Sequence, residues 1–141
     1  MKRELRFCMA TLIGGIVYFL VGWFVFEFLL GEYMETNTTH VPGFKKENAI
    51  VSMMILSCFA YAALLSFIFT YVSKVASLKR SFLISAVIGM LVAIMADCYW
   101  YSTSYFFNSL TPIFVDVIAA GFTVGIMGAS INFILKRTET K

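Results

Sequence analysis

Glu27, Asp97 and Asp116 are the residues with chemistry to offer, because each falls inside a long apolar stretch that holds no lysine or arginine. Ionisable groups inside a bilayer are costly, so such positions point first to binding or proton handling. Depth brings the three together. A helix rises about 1.5 Å per residue, which sets all three acids within roughly 5–8 Å of one boundary of the apolar layer. With no cationic side chain in that layer, their charge must be met by hydrogen bonds, a proton, water or a bound cation. Glu32, Glu35 and His40 lie just beyond them, and Tyr99, Tyr101, Ser102, Thr103, Tyr105, Asn108 and Thr111 supply donors at the same level. Lys45, Lys46 and His40 are near enough in sequence to fold down from the adjoining loop. Two readings follow. Either the acids form a proton- or cation-binding vestibule, or they mark the span boundaries and pin the loops. The boundary reading leads for all three, and most of all for Glu27, whose helical face carries Trp23, Leu20 and Ile16 rather than small residues.

The elements that must position these acids are the stretches Phe7–Leu30, Ala49–Val72, Phe82–Tyr101 and Pro112–Leu135, each 20 to 24 residues long. About 20 apolar residues cross a hydrocarbon core. The expected fold is therefore all-α, an integral-membrane antiparallel four-helix bundle forming a single domain over residues 1–141. A composition of 60% hydrophobic and 13% charged residues excludes an ordinary soluble domain. The net charge of +3 is scattered, so there is no nucleic-acid footprint. Its meaning is topological. Lys2, Arg3, Arg6, Lys74, Lys79, Arg80, Lys136, Arg137 and Lys141 fall on one side of the layer, nine of the eleven basic residues. Only Lys45 and Lys46 fall on the other. The positive-inside rule then puts both termini in the cytoplasm and the three acids near the outer face. The basic start, Met1–Arg6, leads into an apolar run too long for a signal sequence, so it reads as a retained first span.

Small residues show where the helices should touch, because close packing rather than hydrophobicity drives helix association in lipid. Thr11, Gly15, Tyr18 and Gly22 share a face of the first span. In the third, Ser85, Gly89, Ala93 and Asp97 recur every four residues, which turns Asp97 toward a neighbouring helix. The fourth carries Gly121, Gly125 and Ala129, with Gly128 beside them. Gly15, Gly22, Gly89, Gly121 and Gly125 are thus the expected helix-packing positions. Asn48 and Ser81 are expected N-caps of the second and third spans, with Thr111 and Pro112 opening the fourth. Pro42-Gly43 reads as a turn. The short connection Ser73–Ser81 predicts a tight antiparallel hairpin of the second and third spans. Cys8, Cys58 and Cys98 lie at different depths, too far apart for a disulfide. Asn37-Thr38-Thr39 is a glycosylation sequon only in a secretory setting.

The sharpest expectation concerns Asp97 and Asp116. The third and fourth spans are joined by ten residues, so they should be adjacent and antiparallel, and the two acids stand at matching distances from that loop. Two carboxylates brought together there cannot both ionise cheaply, so they should share a proton or jointly hold a cation.

The region LIGGIVYFLVGWFVFEFLLGEYM, the acid late in the third span and FVDVIAAGFTVGIMGASINFIL resemble a group of bacterial four-span membrane proteins described as a domain of unknown function. The resemblance spans nearly the whole chain. It implies an inner-membrane, multi-pass setting and supplies no activity. Small multidrug transporters have the same span count but a glutamate deeper in the first span than Glu27, and the glycine-asparagine and phenylalanine patterns of fluoride channels are absent. No nucleophile motif, zinc motif or phosphate loop is present, and the glycine-rich surroundings of intramembrane aspartyl proteases are missing. The expected function is non-enzymatic, without cofactor or metal: an accessory or interaction module in the lipid bilayer, with a second copy or another membrane protein as partner. The alternative is a proton- or cation-coupled carrier of small solutes that acts as an oligomer.

Overall fold

The computed structural model describes residues 1–40, 42–43, 46, 48–73 and 77–139. Helix α1 covers Arg3–Trp23 and continues as a π-helical segment, Phe24–Leu29. Helix α2 is Gly31–Asn37, and α3 is Val51–Phe67 with a π-helical end, Ile68–Val72. Helices α4, Leu78–Thr103, and α5, Thr111–Glu139, complete the chain. With their π-helical ends, α1, α3, α4 and α5 measure 27, 22, 26 and 29 residues and are long and apolar enough to cross a membrane. α2 occupies a segment that reads from sequence as loop.

Helix starts differ from expectation by a few residues. Ser77, not Ser81, caps α4, its hydroxyl accepting the Arg80 N–H at 3.2 Å. Ser81 lies one turn inside the helix and is fully buried. α3 begins at Val51 with no side-chain cap, so Asn48 stays outside it. Thr111 is already the first residue of α5. The turn at Pro42-Gly43 forms, and Gly43 takes a φ of +80°, where a side chain would be strained.

Helices α1, α3 and α5 supply an apolar core of Ala10, Ala62, Leu65, Phe69, Val124, Met127, Ile131 and Leu135, and α4 lies along α5 with Ile84 and Ile88 packed against that core. α3 and α4 are not packed on each other, so the expected hairpin of the second and third spans is not formed. Lys74, Val75 and Ala76 of that connection lie outside the described residues. The reason sits in α1. A methyl group at Gly14 would come 2.6 Å from Ile131 of α5, and one at Gly15 would come 2.7 Å from the Phe59 ring of α3. Consecutive glycines thus open two faces of α1, which inserts between α3 and α5. Tyr18 follows on the α3 side, its ring edge-on to Tyr61 at 5.5 Å.

Both termini emerge at the same end, called proximal here. Arg6 Nη2 donates to the Leu135 carbonyl at 2.8 Å, its Nε donates to the Thr138 hydroxyl at 3.3 Å, and Glu139 pairs with it at 3.8 Å. Arg3 donates to the Thr70 carbonyl at 2.7 and 3.2 Å and lies over the Tyr71 ring at 4.3 Å. The last carbonyls of a helix lack intrahelical donors, and cations suit that end of the dipole. Two arginines expected to set topology therefore also bind α1 to the ends of α3 and α5. Lys141 lies outside the described residues.

At the distal end the connections are stitched together. Thr39 N–H donates to the Phe106 carbonyl at 2.8 Å and Asn108 N–H to the Asn37 carbonyl at 3.2 Å, around an isolated bridge between Thr38 and Phe107. The Thr39 hydroxyl lies against the Tyr105 carbonyl and Asn108 Oδ1. The sequon is thus held within this stitch, with Asn37 Nδ2 donating to the Tyr33 carbonyl at 2.9 Å.

Candidate functional site

The seam between α4 and α5 is a ladder with four-residue steps on both helices. Ser81 meets Asn132, Ser85 meets Gly128, Gly89 meets Val124 and Asp97 meets Asp116. The same register aligns Ala93 with Ala120 between the last two steps. Each step on α4 is buried: Ser81, Ser85, Gly89, Ala93 and Asp97. Small side chains in register let the two backbones approach closely, which is the packing favoured in lipid. A methyl group at Gly89 would come 2.7 Å from Val124 Cβ and 2.9 Å from the Ala120 carbonyl oxygen. One at Gly128 would overlap the Ser85 side chain and come 3.2 Å from the Ser81 carbonyl oxygen. Gly121 and Gly125 flank the ladder and receive Met90 and the Phe82 ring of α4, each 2.7 Å from where a methyl group would sit.

The ladder is polar at both ends. Proximally, Asn132 Nδ2 donates to Ser81 Oγ at 3.3 Å and to the Ser77 carbonyl at 3.2 Å. Distally, the Asp97 and Asp116 carboxyl groups lie within hydrogen-bonding reach of each other. Asp97 is 8% exposed and Asp116 half-buried. Asp97 Oδ2 is buried, and no N–H or O–H donor among the described residues reaches it. Of the hydroxyls at that level, those of Ser102 and Thr103 both donate to the Tyr99 carbonyl at 2.8 Å. His40 and Lys46 are exposed rather than folded onto the acids, and Lys45 lies outside the described residues.

Glu27 does not join the pair. It is exposed on the π-helical end of α1, at a groove of about 240 Å³ between α1 and α3 lined by Tyr18, Gly22, Trp23, Met54 and Cys58 among others. Gly22 belongs to this groove and not to a packed interface, because nothing lies within 4 Å of where its methyl group would be. Its expected packing role is replaced by Gly14, which sequence spacing missed. Gly22→Ala should leave thermal stability in detergent within about 0.5 kcal/mol of the parent or raise it, as surface substitutions do. A drop in the midpoint of several degrees would show that the groove is a packed contact after all.

Inward of the carboxyl pair, Thr123 and Ser130 donate to carbonyls of their own helix, Ala120 at 3.1 Å and Met127 at 2.7 Å. Among the described residues no three His, Cys, Asp or Glu side chains converge to hold a metal ion. The fold defines a helical chain with four helices long and apolar enough to span a membrane, two of them zipped by a ladder that ends in paired acids. No protein-family profile, curated protein or solved structure matches the chain.

Proposed function

We propose that the chain is a small multi-pass protein of the inner, or plasma, membrane that works without catalysis, as an accessory or interaction module. The observation that carries this reading is the closed seam beneath the carboxyl pair. Gly89 against Val124 and Ser85 against Gly128 fill the line from the acids toward Asn132, and the Ser81, Thr123 and Ser130 hydroxyls bond their own helix, while the buried Ser85 hydroxyl has no partner among the described residues. A carrier needs a wet path along some such line. The gathering of basic residues at one end supports a cytoplasmic location for both termini. Exposed apolar side chains such as Leu56 and Phe67 of α3, and Leu91 and Met95 of α4, offer faces to lipid, to a second copy or to a partner helix.

The rival reading, a proton- or cation-coupled carrier acting as an oligomer, is favoured by the carboxyl pair itself. Purified protein in proteoliposomes carrying a pH dye decides between them. With an imposed proton or sodium gradient, the gradient is expected to decay at the rate of protein-free vesicles. Faster decay that Asp97→Asn abolishes would replace the module by the carrier.

A further inference from the structure

We propose that Asp97 and Asp116 together bind a single proton, held between their carboxyl oxygens, and that this proton latches the distal end of the α4–α5 seam. The ladder places the two carboxyl groups against each other by register, independently of their chemistry: the steps Ser81–Asn132, Ser85–Gly128 and Gly89–Val124 continue to Asp97–Asp116. A second observation asks for a ligand there. The Asp97 side chain is more than nine-tenths buried, and its Oδ2 receives no N–H or O–H from the described residues. A carboxylate in that position needs a proton or a cation.

A proton fits better than a metal ion, because two carboxyl groups are a small ligand set and no third His, Cys, Asp or Glu converges among the described residues. With one proton the pair is an O–H donor facing an O⁻ acceptor, the short, charge-assisted kind of hydrogen bond. On release the O–H bond breaks, the proton passes to water, and two carboxylates remain face to face. Like charges at that separation repel, and the step nearest them is held only by small side chains. The distal ends of α4 and α5 would then part, while the Asn132–Ser81 bonds hold the proximal ends.

The charged and titratable surroundings are few. From α1, the Tyr18 phenol lies within electrostatic range of Asp116, and Tyr61 and Cys58 of α3 reach Tyr18 in turn. Glu27 is exposed at the α1–α3 groove. No lysine or arginine lies within the four spans Phe7–Leu30, Ala49–Val72, Phe82–Tyr101 and Pro112–Leu135. This proposal concerns the seam and stands whether or not the module carries a solute.

Infrared spectroscopy of the full chain in lipid nanodiscs tests it through the carboxylic C=O band. At neutral pH the band should correspond to one protonated carboxyl per chain. It should be unchanged by Glu27→Gln, unaffected by added sodium or calcium, and lost in the Asp97→Asn/Asp116→Asn double variant. No band, a band of two carboxyls, a band that sodium or calcium removes, or one that survives in the double variant would each overturn the single-proton site. For the latch, raising the pH until the band disappears should speed amide exchange in residues 97–103 of the parent beyond its intrinsic base-catalysed rise, and speed it in the double variant by that rise alone. Equal exchange in the two proteins would overturn the latch. The asparagines can still hydrogen-bond across the seam, and helix content by circular dichroism reports whether the double variant is folded. If it is not, the parent's band intensity and its response to cations decide the proton site alone.

Discussion

Gly89→Val should separate α4 from α5 and cost about 3 kcal/mol, the upper part of the range for overpacking a well-packed site. The magnitude follows from what the new atoms would meet. At Gly89 the obstacles are Val124 Cβ at 2.7 Å and the Ala120 carbonyl oxygen at 2.9 Å, both fixed to the α5 backbone. Neither can swing aside, so the whole helix must move, and moving it breaks contacts along every step of the ladder. Gly121 gives the contrast. The nearest atoms there belong to the Met90 side chain, whose end can adopt another rotamer. Gly121→Ala should therefore cost clearly less than Gly89→Ala in the same thermal scan in detergent. Equal stability of Gly89→Val and the parent would mean that the seam is looser than the ladder implies.

The α4 side of that seam was legible because a strict four-residue spacing joins Ser85, Gly89, Ala93 and the acid Asp97 on one stripe. Helical geometry alone puts such residues on one face. The α5 side has the same spacing, Asp116, Ala120, Val124, Gly128 and Asn132, but it was hidden by Val124 and by the more conspicuous Gly121 and Gly125. Those two glycines do pack, beside the ladder instead of along it. The meeting of Asp97 and Asp116 followed from their equal distances to a short loop, and Glu27 stood apart for the reason its face suggested: Ile16, Leu20 and Trp23 around it are all exposed.

Neighbour order was less legible. A short connection normally makes its two helices neighbours, yet α3 packs on α1 and α4 on α5. What decides this is Gly14 beside Gly15, two positions about 100° apart on a helix, each admitting a different partner. A search for one small-residue stripe per helix finds Gly15 and passes over Gly14. The π-helical ends of α1 and α3 leave no compositional signal, since Phe24–Leu29 and Ile68–Val72 are as apolar as the helices they extend. Helix α2 reads as loop in the sequence because its residues, GEYMETN, have too few apolar positions to show a period.

Arg6→Ala should cost about 2 kcal/mol, comparable with the loss of a hydrogen bond to a charged group in a shielded site. Arg6 is only 19% exposed, and its guanidinium spans three partners on the last turn of α5: the Leu135 carbonyl, the Thr138 hydroxyl and the Glu139 carboxylate. The carbonyl matters most. Leu135 is near the helix end, and its oxygen takes the shortest of the three contacts at 2.8 Å. The Glu139 pair at 3.8 Å, half exposed on the glutamate side, adds little by itself. Glu139→Gln should thus change stability by well under half as much as Arg6→Ala. Arg6→Lys should recover only part of the loss, because an ammonium cannot reproduce the fork that reaches the carbonyl and the hydroxyl together. Thermal unfolding of the three variants in one detergent measures all of this. Full recovery by lysine would reduce Arg6 to a point charge at the dipole of α5, and the clamp between α1 and α5 would then rest on the packing of Gly14 against Ile131.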